Sequence, residues 1–519
     1  MLRNFWIRPS IPYLFWTILG GALGVALFLR LYSSEWFSWP GPGDRSSTTI
    51  VLGGLLLATN CLLIYSLLTR SFFGNQSRPI AAGILAFSLV LGSAPAGVAL
   101  RNPTPLILGP LQARSFFVHE GQGVGGGSVR DKVKIYASEP ALSLVITDLW
   151  TGKKKRLDSV AATERAVGDC APMTFCDYRF VHIVKVDTPG AYEINDPTEP
   201  RHSDFFVIRD EQPSNSCDIG IVYPNYTWLA YNPAGHENLY SVNPGTWIDH
   251  RDPIAGNRED FHTHDITTNI AKTILKQENC LTPLTNSDID RTADWQDLEI
   301  LVLTGHDEFW TERMLQSVAD FVERGGKLAV FGGNMAYKEI QFDDEFVRYS
   351  SKWSASNSPE ELVLGSAFRF AGYDLLDSFT LEEARALGQG YTHYTDSEGI
   401  YVANSDHPIF WDTGLEKDQL FGESSRVHSQ EMDGVPMKEN QWEIDTSRYS
   451  GPVEIDGILA YGFATYAGEV NRHGAIVEFQ NGAGRAINAG MLNWGNAVVE
   501  DRVVEQITLN IIKYLRTGG

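Results

Sequence analysis

Lysine is missing from the first 114 residues, which hold eight arginines and only two acids, Glu35 and Asp44, a net of +6. The remainder carries 34 basic against 62 acidic side chains, a net of −28. A body so short of cations repels phosphate backbones, which excludes nucleic acid as a partner. Catalytic signatures are missing too. No G-x-S-x-G occurs in the 519 residues, so the nucleophile elbow of an α/β-hydrolase is excluded. No H-E-x-x-H occurs, so the helical zinc motif is absent. Cysteine is scarce, with five residues. Cys217 and Cys280 precede expected strands instead of standing at a strand-to-helix turn, where a nucleophilic thiol belongs.

Charge is absent from three long stretches, 11–29, 49–68 and 79–100. Each approaches the ~20 residues a helix needs to cross a bilayer. The expectation is three transmembrane helices over residues 1–105 and a multi-pass protein of the inner cell membrane. A signal peptide is the alternative for the first stretch, and "LGSAPAG" (91–97) resembles a cleavage site. Arg3, Arg8, Arg70 and Arg78 fall on one side of the expected spans, Arg30, Arg45 and Arg101 on the other. The positive-inside rule then keeps the N-terminus in the cytoplasm and sends the large domain outside. Cys170 and Cys176 bracket a short loop that a disulfide would close in an oxidising compartment; unpaired thiols are the alternative.

Residues 106–128 read as a Gly-rich linker. Gly121, Gly123 and Gly126 satisfy G-x-G-x-x-G, but "KVKIYAS" after them reads as a strand and not as the helix a dinucleotide site requires. Residues 129–212 read as all-β, with short β-rich runs such as "LSLVITDLW" and "DFFVIRD" at the spacing of an Ig-like sandwich. From about 213 to 519 the pattern alternates. "DIGIVY", "LEILVLTG" and "KLAVFGGN" are apolar strands, while 266–277 and 311–326 have helical spacing, with Thr311 as the N-cap of the second. Near-continuous apolar strands alternating with helices predict a parallel sheet of α/β class.

Ligands sit beyond the carboxyl ends of such strands. That edge would gather Tyr226, Tyr231, Tyr240, His306, Glu308 and Asn334. In an extended strand end, side chains two apart share a side, so His306 and Glu308 face one site and Asp307 another. Glu308 precedes a helix whose dipole favours its ionised form. A carboxylate with phenolate oxygens suits a hard, Lewis-acidic cation such as ferric iron better than zinc; packing tyrosines are the alternative. His262 and His264 in "FHTHD" make a weaker metal pair, whose place before a helix suggests a cap or surface loop.

"LTGHDEFWTERMLQSVADFVERGGKLAVFGGN" (303–334) resembles the signature of the N,N-dimethylformamidase large-subunit family. "TWLAYN" (227–232), "NLYS" (238–241), "DHPIFWDTGLEKDQLFG" (406–422) and "GRAINAGMLNW" (484–494) follow the same family in order, so the resemblance covers roughly 130–519. It implies an α/β amidotransferase-like catalytic domain beside a β-rich one, and an amidohydrolase with one ferric iron (Fe3+) per chain held by two tyrosines and a glutamate. Carried across, the glutamate is Glu308 and the first tyrosine Tyr231. The second is Tyr240, with Tyr226 as its alternative. His306 falls on the family's histidine, and a further catalytic acid on Glu443. The substrate would be a small-molecule amide, and a small subunit or homo-oligomer the protein partner, beside the lipid bilayer. The competing expectation is a membrane-anchored binding or surface-assembly module that keeps the fold without turnover.

Overall fold

Short β-branched and aromatic runs build the N-terminal part of the structure, a computed structural model. It describes residues 116–119, 127–128, 133–137, 141–164, 180–197, 199–209, 217–231, 247–249, 264–291, 293–336, 338–342, 346–349, 399–428, 431–435, 454–466 and 469–518. The first eight strands are β1 (Phe116–His119), β2 (Gly127–Ser128), β3 (Val133–Ala137), β4 (Ala141–Asp148), β5 (Lys154–Glu164), β6 (Phe180–Val184), β7 (Gly190–Asp196) and β8 (Glu199–Arg209). They form one eight-stranded sheet in the order β1-β3-β6-β5-β4-β7-β8-β2. The long β5 pairs with β4 from Lys154 to Ala161 and with β6 through its last residues, Ala162 to Glu164, which joins the two halves. The eight strands are thus linked in one hydrogen-bonded order through β5, and the Ig-like arrangement expected here is not shown. Its core is Val133, Ile135, Leu144, Ile146, Val184, Ile194, Phe206 and Ile208. β1 and β2 lie in the stretch read as a linker.

Thirteen further strands follow: β9 (Ile219–Tyr223), β10 (Trp247–Asp249), β11 (Thr282–Thr285), β12 (Ile300–His306), β13 (Phe309–Trp310), β14 (Lys327–Gly333), β15 (Lys338–Phe342), β16 (Phe346–Tyr349), β17 (Ile400–Val402), β18 (Leu420–Phe421), β19 (Glu454–Tyr466), β20 (Glu469–Asn481) and β21 (Gly484–Asn488). Nine of them make the main sheet, in the order β11-β9-β12-β14-β21-β20-β19-β17-β18. The first five run parallel, and the remaining pairings are antiparallel. β10, β16, β15 and β13 form a small separate sheet.

This corrects the α/β amidotransferase-like, parallel-sheet expectation. The described chain is mostly β, its main sheet is mixed, and helices are few. The apolar strands correctly signalled burial on both faces, but burial says nothing about what pairs beyond the last parallel strand. There β21 turns into a hairpin of two 13-residue strands.

The helices are α1 (Asn225–Ala230), α2 (Asp265–Ile274), α3 (Asn286–Arg291), α4 (Glu312–Glu323), α5 (Trp494–Glu500) and α6 (Arg502–Thr517). Alternation along the strands sorts the core into two faces. Ile221, Val302, Phe331 and Ile487 point toward α2, α5 and α6 through Ile270, Trp494, Ile507 and Ile511. Leu301, Leu303, Leu328 and Val330 point toward α4 through Met314, Leu315, Val318 and Val322. Thr311 caps α4, accepting from Met314 N at 3.0 Å. The two sheets meet through Trp150 Nε1, which donates to Tyr223 at 3.0 Å, and through the Arg209 ion pairs to Asp288 and Asp294.

Cys217 and Cys280 form a disulfide across 63 residues, just before β9 and β11. Cys170 and Cys176 lie outside the described residues. The multi-pass inner-membrane expectation is also corrected. Among the described residues no helix is long and apolar enough to cross a membrane, and the three stretches behind that expectation lie outside them.

Candidate functional site

β12 ends at a backbone that only glycine adopts without strain: Gly305 has φ +71°. The turn delivers His306, Asp307 and Glu308 into the interior, none more than 2% exposed. His306 and Glu308 share a side, with His306 Nε2 at 3.5 Å from Glu308 Oε2. Asp307 faces elsewhere. Asn286, first residue of α3, donates from Nδ2 to both its oxygens at 3.0 and 2.9 Å. Its backbone carbonyl accepts from Ala336 N at 2.8 Å. Burial pushes the Asp307 carboxyl up to about 7, against hydrogen bonds from Asn286 and Trp310 and the charge of His306.

Tyr231 reaches the same point from the end of α1. Its hydroxyl donates to Glu308 Oε2 at 2.6 Å, and its ring stacks on His306 with centroids 6.2 Å apart. Thr227, one turn earlier, accepts from Glu308 N at 2.9 Å and Phe309 N at 3.3 Å. The "TWLAYN" and "GHDE" motifs are thus locked together through two hydroxyls, those of Thr227 and Tyr231. Tyr226 belongs to another environment. Its backbone N–H goes to Asn286 Oδ1 at 3.2 Å. Burial raises its phenol, and the groups acting on that hydroxyl are Asp290, Ser287, Arg291 and Asp288, all on α3. Tyr240 and Glu443 lie outside the described residues. His264 stands at the N-cap of α2 without a side-chain cap bond, its ring stacked on Phe205 at 4.5 Å; His262 is outside the described residues.

Two groups come from a segment that carries no recognisable motif. The short segment 431–433 lies against the end of β14. Glu431 Oε2 is 2.9 Å from His306 Nε2. Asp433 Oδ1 accepts from Asn334 N at 2.8 Å. Asn334, at the left-handed φ of +58°, in turn places Nδ2 3.0 Å from His306 Nε2. That single ring nitrogen therefore meets an amide donor and two carboxylate oxygens. It carries either one N–H or one lone pair, so its proton state selects which neighbour it bonds.

The donor set fits a hard cation. Tyr231 Oη and Glu308 Oε2 are buried and share one proton, which a cation displaces when a phenol becomes a ligand. Asn334 Oδ1, buried beside them, has no hydrogen-bond partner among the described residues. Among those residues no group of three or more His, Cys, Asp and Glu side chains is arranged to hold a metal.

Residues 181–503 match the family described as N,N-dimethylformamidase beta subunit-like, C-terminal, well over half of the 519-residue chain. The chain belongs to that family. All the site residues described above fall inside the matched segment. No curated protein matches the chain significantly. Among solved structures, a β-galactosidase from Rahnella sp. R3 aligns at 12% identity and TM-score 0.32, over 58% of this chain and 31% of its own. The chain thus spans under a third of that enzyme. A thuA-like protein from Parabacteroides merdae aligns at 12% identity and TM-score 0.28, over 51% of this chain and 88% of its own. A cytoplasmic protein from Salmonella typhimurium aligns at 8% identity and TM-score 0.23, over 48% of this chain and 86% of its own. At such scores these likenesses establish no shared fold.

Proposed function

We propose that the chain is a metal-dependent hydrolase of C–N amide bonds in small molecules. Tyr231 and Glu308 are its metal ligands, with Tyr240 as the second tyrosine and one ferric iron per chain. The reading rests on the buried 2.6 Å contact between Tyr231 and Glu308, with His306 at 3.5 Å from the same carboxylate oxygen. When bound, the metal supplies Lewis acidity toward a carbonyl oxygen and acidifies water. His306 stays off the metal and handles the proton, with the Glu431 carboxylate beside its Nε2 at 2.9 Å. Glu431 takes the acidic role that the resemblance placed on Glu443. Asn334 orients the imidazole at the same nitrogen, its Nδ2 3.0 Å from Nε2. The Tyr231 ring, stacked on His306, excludes water from that face.

The test is metal analysis of the purified protein together with amine release from a panel of small formamides and acetamides. One iron per chain, a visible phenolate-to-iron band and released amine are expected. A colourless protein that cannot be loaded with iron and releases no amine overturns the reading. Glu431→Gln and Glu443→Gln then separate the two acids: the first should lose turnover with its metal retained, the second should not.

A further inference from the structure

We infer that Asp433 is a positioning residue that sets the direction from which Asn334 meets His306. The inference rests on the hydrolytic reading of this site. It starts from a turn with little freedom. A Cβ on Gly332 would strike the backbone of Gly305, and one on Gly333 would strike Glu431 O and Leu492 N. The chain after β14 is therefore wedged between the end of β12 and the 431–433 segment. It leaves that wedge through Asn334 at φ +58°, a region that asparagine visits at modest cost and most residues avoid.

The 431–433 segment is itself fixed. Asp433 N donates to Gly490 O at 2.6 Å, and Leu492 N donates to Glu431 O at 3.0 Å. Ala475 N, from β20, donates to Asp433 O at 3.2 Å. Met432 and Met491 form an antiparallel bridge between these bonds. One strap thus carries two carboxylates. Glu431 meets His306 directly. Asp433 meets Asn334, which meets His306. The circuit closes on one ring nitrogen. Asp433 has no exposure at all, and a carboxylate is costly to bury where a neutral side chain would fill the space. Its Oδ1 accepts from the Asn334 N–H, and that bond holds the left-handed turn and so aims the amide.

The experiment uses the full chain with Asp433→Ala, Asp433→Asn and Asn334→Gly. Two quantities are read: kcat and KM on an amide the parent hydrolyses, and the 15N shifts of the His306 imidazole at fixed pH, assigned by their loss in His306→Asn. Asp433→Ala should lower kcat about 10- to 100-fold, the usual range for an outer partner of a site, with KM little changed and the Nε2 shift displaced. Asp433→Asn keeps an acceptor oxygen and should restore most of kcat and the parental shift. Asn334→Gly keeps the left-handed backbone without the amide and should reproduce both effects, which decides the matter if Asp433→Ala does not fold. A parental Nε2 shift in folded Asp433→Ala or in Asn334→Gly overturns the inference. So does Asp433→Asn behaving like Asp433→Ala. If the parent hydrolyses no amide, the hydrolytic reading fails, and the imidazole shift still decides the positioning.

Discussion

β12 and β14, seven residues each, run out into the side chains of the candidate site, whereas β19 and β20, thirteen each, run back into each other. The contrast lies in how the two halves of the main sheet close their hydrogen bonds. A parallel strand has no neighbour to turn into, so its carboxyl end must open into a turn or helix, and polar side chains can be presented there. A hairpin strand satisfies its backbone along its whole length and serves as a wall. Its part in the site is to seat the strap. Ala475 holds Asp433, and Gly462 and Gly474 leave the space that His428 fills. One half carries the candidate site, the other clamps it.

The contrast breaks most severely at Glu308. Glu308→Ala should lose metal and turnover together, seen by metal analysis and amine release. His306→Asn should keep the metal and lose ~10²–10⁴-fold in turnover, the range for a removed acid–base group; release of the metal would make His306 a ligand. Glycines sharpen the comparison between the halves. Gly333→Ala drives a Cβ into the backbone of the strap and should cost ~1–3 kcal/mol in a denaturant titration, as overpacking does. Gly457→Ala on β19 meets nothing within 4 Å and should stay within about 0.5 kcal/mol of the parent.

A subtler probe is Glu478 on β20. Burial pulls its carboxyl up, but hydrogen bonds from His407 and Tyr514, with the charges of His407 and Arg485, outweigh that and hold it below the usual range. A carboxyl lowered on folding gives stability that is present above its unfolded pKa, near 4.5, and is lost as pH falls through the folded value. Below about pH 4.5 the unfolding midpoint of the parent should therefore fall more steeply than that of Glu478→Gln. The smallest effect belongs to Tyr226→Phe. It should leave metal content and spectrum unchanged and cost ~1 kcal/mol, whereas Tyr231→Phe should shift the visible band.

The stretch 298–334 was legible because each local signal agreed with the next: apolar strand, capped helix, apolar strand. The left-handed Gly305 and the shared side of His306 and Glu308 follow from the same pattern. The hairpin was not legible. Register shifts at Ile455/Gly457, Ile458/Ala460 and Ala464/Thr465 interrupt the two-residue alternation that would have marked β19 as a strand. Glu431 and Asp433 were illegible for another reason. The Asp433–Asn334 bond spans 99 residues, and nothing in "SQEMDG" says which strand end it will meet. Tyr226 lies in one short helix and Tyr231 caps it; five residues of helix turn them roughly 140° apart, and the docking of the Tyr226 side on α3 leaves Tyr231 to face Glu308.

The Cys217–Cys280 bond turns part of this site into a ring. The ring contains β9, α1 with Tyr231, and α2, while His306, Glu308, Asn334 and Glu431 all lie outside it. The outermost strand β11 is hydrogen-bonded to β9 over only four residues, so the covalent link is what keeps the two strand starts together when that ladder opens. Closing a loop of 63 residues is worth about 4 kcal/mol in chain entropy. Thiol chemistry thereby becomes a handle on the tyrosine-bearing side of the candidate site: reduction removes the covalent tie at the starts of β9 and β11, and β9 and α1 are then held to β12 by their own hydrogen bonds alone.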